Sequence, residues 1–145
     1  MSKSIAYLNL IRFFNPIGFW LLLWPGLWGL FLSGNMDISY FTIVVLGSFL
    51  TRSVGCAIND MIDIQYDKKV DRTKDRPLAN GDLTFKEALI FTIILAAACL
   101  YLLSLTNMQT ICLVLFVAVP MIVIYPLMKR FIACLLYTSD AADED

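Results

Sequence analysis

The chain has 145 residues, 59% of them hydrophobic, and a formal net charge of −1 from 11 basic and 12 acidic residues. A mean hydropathy of +0.75 sets it apart from soluble domains, whose apolar share is about 45–50%, and its apolar residues gather into blocks long enough for a bilayer core. With no His in the chain, imidazole zinc sites, Ser-His-Asp triads and Cys-His nucleophile pairs are excluded.

The N-terminal segment 1–15 carries Lys3 and Arg12 and leads into an apolar block with no small-residue cleavage site after it. That block therefore reads as a retained helix. This first predicted span covers about 17–33, with Trp20, Trp24 and Trp28 at fourfold spacing and Pro25 inside it, where a kink is expected. A short polar connector leads to a second span over 40–58, which contains Arg52 and runs into Asn59-Asp60. An arginine within a span must face protein or water. After a charged stretch over 59–86, a third span over 88–105 and a fourth over 108–128 are separated by Thr106-Asn107 alone, which predicts a tight hairpin. The four cysteines (Cys56, Cys99, Cys112, Cys134) form no CxxC pair and read as small apolar residues. The fold class is an all-α membrane protein, with about four spans in one domain over 1–133.

Orientation follows from the basic residues, which accumulate in cytoplasmic loops. Lys3 and Arg12 precede the first span; Lys68, Lys69, Arg72, Lys74, Arg76 and Lys86 lie between the second and third; Lys129 and Arg130 follow the fourth. Arg52 alone lies within a span. The N-terminus and the aspartate-rich loop are thus expected in the cytoplasm, with the chain in a bacterial inner membrane. Residues 134–145 match one reading frame of a sequencing adapter and are expected to be non-native. Without them the 12 acidic residues fall to 8 against 11 basic ones, and the net charge moves from −1 to +3.

The stretch from Asn59 to Leu78 is the only part of the chain dense in ionisable groups. If the second helix extends through it, Asp60, Asp63 and Asp67 fall on one face. Such carboxylates repel unless a cation lies among them. Hard divalent cations prefer carboxylate oxygens, and Mg²⁺ commonly bridges one or two of them to substrate phosphates. Arg72, Lys74 and Arg76 follow closely, and guanidinium groups hold phosphate oxygens in pairs. The plainer alternative is a solvated basic loop, which explains the cations but not the aspartates at a helix end.

Asn59-Asp60-x-x-Asp63-x-x-x-Asp67, followed by Asp71-Arg72-Thr73-x-x-Arg76-Pro77-Leu78, resembles the aspartate motif of the UbiA prenyltransferase superfamily. Pro16-Ile17-Gly18, Leu21-Leu22-Leu23-Trp24-Pro25 and Tyr125-Pro126-x-x-Lys129-Arg130 are most similar to the branch of 4-hydroxybenzoate polyprenyltransferases of ubiquinone biosynthesis. Relatives of the haem O, menaquinone and chlorophyll branches share the aspartate motif. Asn15 departs from that branch, in which a lysine is common at this position. The resemblance covers nearly all of 11–131 and implies about four spans of about nine, with a second DxxxD motif lying in a later half that this chain lacks. The 145 residues alone are therefore expected to be inactive.

The resemblance implies transfer of a polyprenyl group from polyprenyl diphosphate to an aromatic acceptor. It assigns Asn59, Asp63 and Asp67, with Asp60 as a weaker member, to a Mg²⁺-diphosphate site in which Asp63 and Asp67 are catalytic. Arg72, Lys74, Arg76, Lys129 and Arg130 would contact diphosphate or the acceptor carboxylate. Arg52 is expected to snorkel or to pair with a polar partner. The expected partners are these two substrates and the lipid bilayer, with no nucleic acid. An ion-coupled transporter would instead bury its carboxylates in mid-span, and a CDP-alcohol phosphotransferase would carry a DGxxAR pattern, which is missing here.

Overall fold

A computed structural model describes residues 2–34, 37–71, 73–121 and 124. Every regular element among them is helical. Helix α1 spans Lys3–Leu10, α2 Ile17–Leu32, α3 Ile38–Ile62, α4 Ile64–Asp67, α5 Phe85–Ser104 and α6 Met108–Leu113, the last running on into a π-helical turn over Val114–Ala118. The first five helices form one compact unit; a second unit begins at Asn107 and contains α6.

Local chemistry sets the ends of these helices. Arg12 adopts φ 55 after α1, the left-handed conformation that stops a helix and redirects the chain. Gly34 does the same after α2 with φ 70, and its N–H donates to the carbonyl of Phe31. Asp37 caps α3 by accepting from the Ser39 N–H, and Asn107 caps α6 by accepting from the Thr110 N–H at 2.8 Å. Thr84 and Glu87 form a reciprocal capping box at the start of α5, satisfying two backbone donors that the helix leaves unpaired. Pro25 lies inside α2, which continues through it.

Two of the four predicted spans, α3 and α5, are long and apolar enough to cross a membrane; α2 is apolar but shorter, and of the fourth, 108–128, the structure describes an apolar helix over Met108–Met121, with 122, 123 and 125–128 outside the described residues. The 16 residues of α2 reach about 24 Å at 1.5 Å per residue, short of a hydrocarbon core of about 30 Å. Its outer face exposes Trp24 and Trp28, and α5 exposes Ile90, Ile93 and Ile94. Apolar surface of this extent suits lipid better than water.

Helix α3 packs against both α2 and α5, and α1 meets α3. The buried core joins Ala6 and Leu10 of α1, Ala57 of α3 and Ala88 of α5 to Leu78 and Leu83 from the segment between α4 and α5. The Tyr7 and Phe91 rings pack beside it with centroids 4.8 Å apart. The charged segment is therefore no loose loop. Its two leucines are drawn into the core, and this holds the polar residues between them against the end of α3.

Candidate active site

The helix does not run unbroken through the aspartates. α3 ends at Ile62, Asp63 adopts φ −96 and ψ 8, and α4 resumes at Ile64. The path nevertheless stays helical, because the Asp63 N–H donates to the Asn59 carbonyl at 3.0 Å and the Asp67 N–H to the Asp63 carbonyl at 2.8 Å. Asp60 and Asp67 are buried, whereas Asn59 and Asp63 are partly buried.

Asp60 and Asp67 converge on one guanidinium. Arg76 Nη1 donates to Asp60 Oδ1 at 3.2 Å and to Asp67 Oδ2 at 2.7 Å. Arg12 reaches the same Asp60 Oδ1 from the far end of α1, with Nη2 at 3.0 Å. Two carboxylates and two guanidinium groups thus form a balanced cluster, with Asp60 only 2% exposed at its centre. Both partners are needed to offset the cost of burying that carboxylate. The Thr73 hydroxyl fastens the turn by donating to the Asp67 carbonyl at 3.1 Å, and Lys74 pairs instead with exposed Asp71. Arg72, Lys129 and Arg130 lie outside the described residues, as does the segment 134–145.

The donor chemistry of Asn59, Asp60, Asp63 and Asp67 suits a hard divalent cation. No group of three or more His, Cys, Asp or Glu side chains that could hold a metal ion occurs among the described residues. Two of the three carboxylates, Asp60 and Asp67, are paired with guanidinium groups in this arrangement.

On the α2 side of the cluster, a cavity of about 290 Å³ is lined by Arg12, Asn15, Phe19, Trp20, Phe49 and Arg52, among others. The Phe13, Phe19 and Phe49 rings form an edge-to-face set, with centroids 6.3 Å (Phe13 and Phe49) and 6.2 Å (Phe19 and Phe49) apart. Arg52 enters no salt bridge among the described residues. The cavity thus brings aromatic rings and two guanidinium groups together. The sequence left Arg52 to snorkel or to pair with a polar partner and did not place it in such a site. The available signal was an arginine inside a predicted span, which marks a functional position by its cost.

The sequence model of the UbiA prenyltransferase family matches residues 22–136. The chain is similar to 4-hydroxybenzoate octaprenyltransferases of Pasteurella multocida, at 48% identity over 90% of this chain and 45% of the relative, and of Vibrio cholerae, at 44% over 89% and 46%. A third, of Vesicomyosocius okutanii, is 46% identical over 83% of this chain and 45% of its own length. The chain therefore spans about half the length of the curated relatives it matches. No solved structure matches it.

Proposed function

The chain belongs to the UbiA prenyltransferase family, and we propose that it supplies the first aspartate turn and the acceptor pocket of an enzyme transferring a polyprenyl group to 4-hydroxybenzoate in ubiquinone biosynthesis. The observation that carries this reading is Arg12, which bonds to Asp60 in the aspartate turn and also lines the aromatic pocket. A donor site and an acceptor site are thereby joined through one side chain.

Asn59, Asp63 and Asp67, with Asp60, would hold Mg²⁺. The ion, when bound, offsets the charge of the diphosphate leaving group. Arg76, together with Arg72, Lys74, Lys129 and Arg130, would contribute positive charge toward the diphosphate or the acceptor carboxylate. Arg12 and Arg52 orient the acceptor by its carboxylate while the phenylalanine rings hold its ring, so that the carbon beside the hydroxyl faces the donor. The allylic carbon–oxygen bond breaks, with its electron pair leaving on diphosphate. The ring carbon then bonds to the allylic carbon and loses its proton, restoring the aromatic ring. Positioning of this kind supplies much of the rate enhancement in two-substrate reactions. An inner-membrane location with the aspartate turn facing the cytoplasm belongs to the same reading and is supported by the distribution of Lys and Arg.

A chimera carrying residues 1–133 in place of the corresponding segment of the Pasteurella multocida relative tests the proposal. It should prenylate 4-hydroxybenzoate with Mg²⁺, and Asp63→Ala should reduce turnover at least a hundredfold, as loss of a principal charge-stabilising group does. Near-normal turnover by Asp63→Ala would remove the metal-site assignment.

A further inference from the structure

The position of Arg52 depends on an atom that is missing from its neighbour. Gly18 is the second residue of α2, and a Cβ built on it would stand 2.4 Å from Cζ, Nε and Nη2 of Arg52. The guanidinium therefore occupies the space that any other residue at position 18 would fill with its side chain. Pro16, two residues before Gly18, and Phe19, directly after it, line the pocket with Arg52. Of the seven glycines, only Gly18 has its open side taken by a charged group; a Cβ on Gly26 would meet Val44, and the other five meet nothing within 4 Å.

We propose that Gly18 is a positioning residue for the acceptor: the space left by its missing side chain holds the Arg52 guanidinium against the first turn of α2, where it can pair with the carboxylate of an aromatic acid in the pocket. This rests on the reading of that pocket as the acceptor site. The obstacle that a new Cβ would meet is the far end of a flexible side chain, not backbone. Gly18→Ala therefore moves the guanidinium and leaves the helix packing alone. Alanine is also the better helix former, so stability and binding should move independently, whereas a merely structural glycine would lose both.

The test titrates 4-hydroxybenzoate, and its uncharged analogue 4-hydroxybenzamide, into the chimera carrying residues 1–133, in detergent. Binding is read by isothermal titration calorimetry. Gly18→Ala should weaken 4-hydroxybenzoate about tenfold, the loss expected for a displaced charge-assisted hydrogen bond, with the amide unaffected and the melting temperature not lowered. In an Arg52→Ala background the same substitution should change nothing further. Unchanged binding by Gly18→Ala where Arg52→Ala loses it would overturn the role of Gly18 alone. Equal weakening of both ligands, a lowered melting temperature or a further loss without Arg52 would do the same. If Arg52→Ala binds like the unaltered chimera, or the unaltered chimera binds neither ligand, the acceptor reading fails and the role of Gly18 fails with it.

Discussion

Asp60 illustrates what the residue pattern conceals. Its motif position suggests a minor metal ligand, yet it is the buried centre of an ion-pair cluster whose partners come from positions 12 and 76. Removing Arg76 leaves Asp67 without that partner and Asp60 with Arg12 alone; we expect Arg76→Ala to lower unfolding free energy by about 3 kcal/mol, the cost of stripping one partner from a buried pair. Equilibrium unfolding in mixed micelles measures this, and a change within experimental error would mean that the cluster is solvated. Arg12 carries a second burden, its left-handed φ of 55, a conformation that costs a non-glycine residue about 1 kcal/mol or more. Arg12→Ala should thus be less stable than Arg12→Gly, because both lose the ion pair but only glycine relieves the backbone. Asp60, Asp67 and Arg76, which the structure brings together, were legible as members of one charged stretch. The Arg12 contact was not, since 48 residues separate it from Asp60 and no local period links them.

Helix existence was readable from apolar blocks; the helix ends are set by caps that those blocks do not convey, Thr84 with Glu87 above all. Nor do the blocks convey that the segment between α4 and α5 is itself part of the core. Leu78 and Leu83 sit in a polar stretch, where two isolated leucines carry no periodicity, yet they are 5% and 2% exposed. Leu83→Ala should therefore cost about 2–5 kcal/mol, as truncation of a buried leucine does, and should loosen the aspartate turn with it. Hydrogen exchange over 68–84 would report this; unchanged protection would show that the turn is held by its ion pairs alone. At the start of α5, Glu87 also receives the Lys3 amine. The carboxylate holds the Lys3 pKa above the ordinary lysine value, chiefly by that hydrogen bond. The pair therefore persists through neutral pH and is lost in strong alkali as the amine deprotonates.

For the molecule as a whole, composition pointed to a membrane bundle, and the family match with the long apolar helices α3 and α5 agrees with it. Helix bounds lay close to the apolar runs: α2, at Ile17–Leu32, ends within a residue of the predicted 17–33, where Gly34 turns the chain. In the function proposed above the site has two parts, an aspartate turn that reads the diphosphate and an arginine-and-aromatic pocket that reads the acceptor, meeting at Arg12. Steady-state kinetics of the chimera with both substrates varied test this division most directly. Arg52→Ala should raise KM for 4-hydroxybenzoate about tenfold or more, with KM for the polyprenyl diphosphate unchanged, the pattern of a lost ground-state contact to one substrate. An equal rise for both substrates, or a rise for the diphosphate alone, would contradict it.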